Sequence, residues 1–489
     1  MGSRRRPYLY LGLLSAGALL VHGYHPGVED AEIYIPGIKK LLDPHLYPFC
    51  AEFFLDHARL TLFDELVGGS IRALHLPFNL AIFLWYVASI FLTLQACWEL
   101  SVECFESNQE RWAAVATVAS LLTIPVAGTA LYIADQYLTS RSIVTFAVLF
   151  AISNTIKGNT RTAALWTMFA ACIHPLMAVF GMSYVAVLFF LRARQQESSV
   201  VLAYQLLPAP FLASDLLSSP SSPYEKAVVT RSYFFLLQWQ WYEWLGALAP
   251  FLVLWMIGRL AEKRSLRTLR LVSQGLIIYG LVYFCLAVLI TIPPQFRGAA
   301  HFQPMRSLHL LYIIMFLLIG GLIGRYVLKR HVWRWIALFF PLCAGMLFAQ
   351  RQLFPASRHL ELPGRVSEND WVRAFEWIRN NTPADALFAV DPEYMLKDDQ
   401  HGFRAIAERS RLADDVKDSG AVTMFPNLTA ADHWLEQVES QRGWQNFRDR
   451  DFRRLQESYG VSWIVAERTL DTNFVCPYEN QTIRVCRLD

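Results

Sequence analysis

Three long uncharged runs limit what this chain can fold into: Pro77 to Cys97 (21 residues), Trp112 to Ile133 (22) and Leu271 to Ile292 (22). A helix of about 20 apolar residues crosses roughly 30 Å of hydrocarbon while satisfying its own backbone polar groups. Each run is read as a membrane span. Shorter or interrupted runs cover Leu9 to Val21, Ser142 to Ile156, Thr162 to Leu191, Ser199 to Ser214, Trp244 to Gly258, Ser307 to Gly324 and Trp335 to Gln350. The run from Thr162 is too long for one span and short for two, which predicts a tight hairpin turning at His174-Pro175. The expectation is a polytopic α-helical membrane protein with about eleven transmembrane helices. Composition agrees, at 54% hydrophobic against 17% charged over 489 residues, well away from soluble domains.

Orientation follows from Lys and Arg. Arg4-Arg5-Arg6, Lys157 with Arg161, Arg192 with Arg194, Lys263-Arg264 with Arg267, and Lys329-Arg330 with Arg334 fall on alternate span ends, as a cytoplasmic set does. The N-terminus is expected in the cytoplasm, and the first hydrophobic stretch reads as an uncleaved anchor, since His22-Gly23-Tyr24-His25-Pro26 is a poor cleavage site. An odd number of crossings then puts the loop 22–76 and the C-terminus outside.

Charge density divides the chain. Of the 85 charged residues, 38 lie in the last 125, from Arg365 onward, so residues 1–350 read as the membrane domain and 351–489 as an exported α/β domain. Ser367 is expected to cap a helix through Trp371, Phe375 and Ile378 that stops at Asn380-Asn381-Thr382-Pro383. Strands are expected at Ala386 to Val390, Val461 to Ala466 and Thr482 to Leu488, with helices around Ala430 to Val438 and Phe447 to Tyr459. Cys476 and Cys486 are spaced so that two strands joined by a turn could bridge them in an oxidising compartment.

The exported loop opens with Glu29 and Asp30, with Glu32 just beyond, at the end of the first hydrophobic helix. Carboxylates beside an apolar helix are costly to desolvate and invite a catalytic or ion-handling role. The competing reading is plain helix capping, because Asp is an ordinary N-cap for the helix beginning near Ala31. Apolar positions Ile35, Ile38, Leu41 and Leu42, then Leu62, Phe63, Leu66 and Val67, recur at helical spacing. They predict helices in the interface plane, or equally ones that cap the helical bundle, broken at Asp43-Pro44 and at Gly68-Gly69.

One long exported loop opening on an acidic pair, uneven spans and a C-terminal exported domain together resemble the GT-C superfamily of integral-membrane glycosyltransferases. Phe375-Glu376-Trp377-Ile378-Arg379-Asn380-Asn381-Thr382-Pro383, followed by Ala386-Leu387-Phe388, is similar to the opening of the exported domain of oligosaccharyltransferases and of uncharacterised bacterial membrane protein families. Gly402-Phe403-Arg404, Ala407-Glu408-Arg409 and Asp414 to Lys417 also look like the bacterial group, which implies a bacterial inner membrane and a periplasmic or extracellular C-terminal domain. The Trp-Trp-Asp motif of oligosaccharyltransferases is absent, since Ala389-Val390-Asp391-Pro392 follows Phe388.

The resemblance implies transfer of a sugar from a polyprenyl-phosphate donor to an exported glycan, lipid or protein acceptor. Inversion at the anomeric carbon is expected, with Asp30 as general base, Glu29 sharing that role or holding the acceptor, and Glu32 among the substrate contacts. The departing phosphate needs cations, and the groups available are Arg59 with His57, Arg141, Arg297 and Arg306. Each of these also suits a lipid headgroup. His174 is either a substrate contact or a partner for a backbone carbonyl released by Pro175. His22, His25, His45, His57 and His75 match no zinc signature, so no metal is assigned, although some members of the family use a divalent ion. No Gly-rich phosphate loop or GxSxG elbow occurs and the net charge is only +3, which argues against nucleotide hydrolysis and nucleic-acid binding. The alternatives are a transporter or flippase of lipid-linked or amphiphilic solutes, and a non-catalytic membrane scaffold.

Overall fold

The computed structural model describes residues 6–195, 222–397, 399–424, 428–470 and 472–488. The chain begins with α1 (Arg6–His22), then three short helices, α2 (Ala31–Leu42), α3 (Glu52–Ala58) and α4 (Phe63–Leu74). Next come α5 (Phe78–Cys104), α6 (Asn108–Ser120), α7 (Ser140–Lys157), α8 (Thr160–Ile173), α9 (Pro175–Gln195) and α10 (Ser222–Val229). The apolar part closes with α11 (Trp241–Lys263), α12 (Arg267–Thr291), α13 (Leu308–Ile323) and α14 (Val332–Leu353).

Six helical stretches among the described residues are long and apolar enough to cross a membrane: Phe78–Cys104, Pro175–Ala193, Trp241–Lys263, Arg267–Thr291, Ala299–Leu328 and Val332–Leu353. This is an integral membrane protein. α1 is apolar but shorter, and the expected span Ser199 to Ser214 lies outside the described residues. Within the 162–191 run α8 stops at His174, and Pro175, whose missing N–H costs nothing in a first turn, opens α9. Arg192 near the end of α9 donates to the Thr155 and Ile156 carbonyls at the end of α7 (2.9 and 2.7 Å), so α7 and α9 run parallel in direct contact and α8 runs back against both.

Two expectations fail. The run Trp112 to Ile133 is not one helix: α6 ends at Ser120, and Val126 N–H donates to the Leu131 carbonyl (2.8 Å) in a turned segment with Pro125 bridged to Tyr132. Pro125 has no N–H to give a helix, and a side chain at Gly128 would collide with the Trp239 ring. Nor does Gly68-Gly69 break α4. Gly68 instead lets α4 approach Leu41 of α2 closely.

Beyond α14 the chain builds a five-stranded sheet in the order β2-β1-β3-β5-β4 from β1 (Leu387–Val390), β2 (Ser410–Arg411), β3 (Trp463–Glu467), β4 (Val475–Glu479) and β5 (Ile483–Arg487). β1 runs parallel to β2 and β3, and β5 is antiparallel to β3 and β4. Full burial of β1 fits a parallel strand covered on both faces. One face packs Phe375, Phe388, Phe403 and Trp463; the other packs Phe452, Leu455, Ile464 and Cys486. α15 (Asp370–Asn381) and α16 (Phe403–Ala407) cover the first face and α19 (Asp449–Tyr459) the second, while α17 (Asp418–Met424) and α18 (Leu428–Ser440) pack with Phe53, Tyr224 and Phe234 in a separate core. α15 is capped by Asn369, which accepts from Trp371 and Val372 N–H (2.9 and 3.2 Å), and not by Ser367, which sits two residues too early and accepts from Asn369 N–H instead. Cys476 and Cys486 form a disulfide between β4 and β5.

The loop after α1 is stitched to this domain. Gly402 N–H donates to the Gly27 carbonyl (2.7 Å), Glu29 N–H to the Gln400 carbonyl (3.1 Å), and Glu361 lies between His25 (3.0 Å) and His401 (3.2 Å). Burial alone would raise the Glu361 carboxyl, but His401 and His25 outweigh it and bring it from 4.5 down to about 2. A depressed carboxyl contributes stability that is complete above the unfolded value and lost as pH falls toward the folded one. The difference in thermal midpoint between wild type and Glu361→Gln in detergent is therefore expected to be full above pH 4.5 and to close by about pH 2; a difference that widens on acidification refutes it.

Candidate functional site

A cavity of about 460 Å³ opens between the start of α2, the turned segment 121–138, the approach to α13 and the start of α17. Asp30 stands at the N-cap position of α2, yet its side chain caps nothing. Its Oδ2 accepts from Arg141 Nη1 (3.0 Å) and its Oδ1 from Lys417 Nζ (3.2 Å), while its own N–H donates to Tyr137 Oη (3.2 Å). Of the two readings left open by the sequence, capping is thus not what the carboxylate does. Arg141 is set by the first turn of α7, which Thr139 and Ser142 close as a capping box, and its Nη2 also reaches Asp135 Oδ2 (2.8 Å). Lys417, just before α17, is shared between Asp30 and Glu29 Oε2. Glu29 adopts a left-handed backbone (φ 54°), which turns the chain into α2.

Electrostatics follow from these pairs. Burial would raise the Asp30 carboxyl, but Lys417 and Arg141, with Arg306 behind them, hold it well below the usual carboxylate range. Lys417 shifts the opposite way: burial would lower it, and Glu29 and Asp30 hold it above the ordinary lysine value. His57 on α3 is lowered to about 4 by burial, so its imidazole is neutral at physiological pH. The lining carries Arg141, Arg231, Arg306 and Lys417 against Glu29, Asp30 and Asp135, which leaves one positive charge in excess. That excess resides on Arg231 and Arg306, which form no ion pair with a carboxylate among the described residues. Arg306 is buried, its Nε and Nη1 have no hydrogen-bond partner among the described residues, and its guanidinium lies 6.0 Å from the centre of the Tyr233 ring. Arg231 binds the Val416 carbonyl and Ser419 Oγ, with Nε unpartnered.

Five of the nine site residues expected from sequence therefore share this cavity: Glu29, Asp30, His57, Arg141 and Arg306. His174 stands behind His57 (ring centres 6.4 Å apart), and its Nδ1 accepts from the Met177 N–H of α9 (3.4 Å) while Nε2 is unpartnered. It serves a free backbone donor and not the carbonyl expected beside a proline. Arg59 is 74% exposed and pairs with Asp56. Arg297 belongs to the 3-10 segment Pro294–Phe302, with its side chain outside the described set.

Glu32 points away from the cavity. It is fully buried in the C-terminal domain's face, accepting from Ala405 N–H (3.1 Å) and Arg411 Nε (3.0 Å), with Arg404 at 3.6 Å. Arg411 also holds Asp414, and Arg404 binds Asp418 through both terminal nitrogens (2.7 and 2.9 Å). Asp135, Arg231, Tyr137 and Lys417 were not expected. Two carried a signal: Asp135 is the first charge after the uncharged run and lies six residues before Arg141, and Lys417 is the lone cation among Asp414, Asp415 and Asp418. Among the described residues no cluster of three or more His, Cys, Asp or Glu is arranged to hold a metal ion.

A family profile described as a domain of unknown function, DUF6798, matches residues 369–418. The matched stretch runs from the cap of α15 through β1, α16 and β2 to Lys417 and Asp418, and so includes every C-terminal partner of Glu29, Asp30 and Glu32 named above. No curated protein matches the chain.

Two substitutions test the assignments. Glu32→Ala leaves Arg411 and Arg404 with Asp414 and Asp418 but strips the buried Ala405 N–H and Arg411 Nε of their acceptor, and is expected to cost about 1–3 kcal/mol in denaturant unfolding of the detergent-solubilised protein. Asp30→Ser keeps a good N-cap and loses both ion pairs; an expected loss of about 1–3 kcal/mol separates pairing from capping, for which Ser would be nearly neutral.

Proposed function

We propose that the chain is a GT-C-like membrane glycosyltransferase that moves a sugar from a polyprenyl phosphate to an exported acceptor. One observation carries this reading: the carboxylate of Asp30 and the buried guanidinium of Arg306, whose Nε and Nη1 have no hydrogen-bond partner among the described residues, line the same cavity as Arg141, with Arg306 at the start of the membrane-length stretch Ala299–Leu328. A displacement at an anomeric carbon with a phosphate leaving group needs a proton acceptor on one side and unneutralised cations on the other. An apolar helix beside the cations suits the polyprenyl chain. In this reading about eleven helices cross the membrane and the cavity faces the exported side, with the N-terminus in the cytoplasm of a bacterial cell.

Asp30 would take the acceptor hydroxyl proton as that oxygen attacks, Arg306 with Arg141 would receive the phosphate charge, and neutral His57 would contribute a hydrogen bond without adding charge. The test is transfer from radiolabelled polyprenyl-phosphate sugars in membranes holding wild-type or variant protein. Asp30→Asn is expected to lower transfer about 10²–10⁴-fold and Arg306→Gln to lower kcat/KM comparably. An Asp30→Asn protein that inserts normally and keeps full transfer removes the base assignment; movement of a lipid-linked sugar across vesicles without transfer favours a transporter.

A further inference from the structure

Asp30 is ionised and doubly paired, which poses a chemical difficulty for a general base. One carboxylate oxygen faces Arg141 and the other faces Lys417, so neither is disposed to receive a proton. The two cations differ in what holds them. Arg141 lies in the first turn of α7 and is tied to Asp135 as well as Asp30, its planar fork fixed between them. Lys417 carries a compact charge on a flexible stem, comes from the opposite wall, and keeps a second acid, Glu29, when its contact with Asp30 is given up. Lys417, Arg306 and Arg231 all line the cavity.

We infer that Lys417 is a donor-operated latch on Asp30: the phosphate of the lipid-linked sugar draws the Lys417 ammonium to itself and thereby uncovers Oδ1 of Asp30 for the acceptor hydroxyl. This rests on the glycosyltransferase reading of the cavity. With Lys417 on the phosphate, Asp30 retains only Arg141 and its affinity for a proton rises. The acceptor oxygen then bonds to the anomeric carbon, and the bond from that carbon to the phosphate oxygen breaks. The electron pair stays with the lipid phosphate and the hydroxyl proton passes to Oδ1. Without donor the base is covered, so the resting site does not activate water. Lys417 is accordingly a positioning residue for Asp30, supplied by the domain that bears the family match.

A competition of this kind is reciprocal, because whatever frees the lysine must favour the phosphate. The measurement is binding of radiolabelled polyprenyl phosphate, without sugar, to the full-length protein in nanodiscs. Asp30→Asn is expected to bind about tenfold tighter than wild type and Lys417→Gln about tenfold weaker. The tightening should vanish when Asp30→Asn is placed on Lys417→Gln and persist on Lys417→Arg. Glu29→Gln, which leaves the lysine intact, should also tighten binding. Equal tightening in the presence and absence of the lysine charge, or none at all, overturns the latch while leaving the donor reading in place. Absence of polyprenyl phosphate binding in wild type overturns both.

Discussion

The arrangement depends on one buried carboxylate. Glu32 sits at 0% exposure with Arg411 and Arg404 around it, and these in turn hold Asp414 and Asp418. Charges taken so far out of water persist only when paired and hydrogen-bonded on every side. The pairing therefore admits one docking of the first loop on the C-terminal domain. Two residues before Glu32 the chain delivers Asp30, and three residues after Asp414 it delivers Lys417. The ionic core thus sets the register in which the two walls of the cavity meet, and Lys39, bound to Glu408 and the Ala405 carbonyl (2.7 Å each), extends it along α2.

Much of the scaffold was legible because local pattern and tertiary setting agree. α5 and α12 each carry an uncharged run of membrane-spanning length, β1, β3 and β5 are short buried runs between turn residues, and α18 and α19 carry helical periodicity. Failures came where composition and geometry diverge. The stretch 121–138 has the composition of a span, but Pro125 and Gly128 turn it into a cavity wall. Gly68 looked like a breaker and serves as a contact surface, since a glycine in a helix reads the same whether it ends the helix or admits a neighbour.

The site divides along the same line. Asp30, Arg141 and Arg306 stand out because a charge beside an apolar run needs a reason. Glu32 is equally conspicuous and has a different reason, and nothing in the sequence separates two acids two residues apart that face opposite ways. Lys417 carries the weaker signal of a lone cation in an acidic stretch, which marks it without giving a partner: only the fold carries it 387 positions in sequence to Asp30.

The disulfide closing β4 onto β5 bears on handling of the protein. β4 is the outermost strand, alternates exposed and half-exposed side chains, and is bonded to β5 alone, across a register irregularity between Val475 and Tyr478. Such an edge is held weakly by its ladder, and Cys476–Cys486 is the covalent stitch that keeps it in place. Reducing agents during extraction would loosen it and bare the flank of β5, a strand buried at Ile483, Val485 and Cys486 and hence prone to pair with the same strand of another copy. Oxidising buffers are accordingly expected to keep β4 on β5.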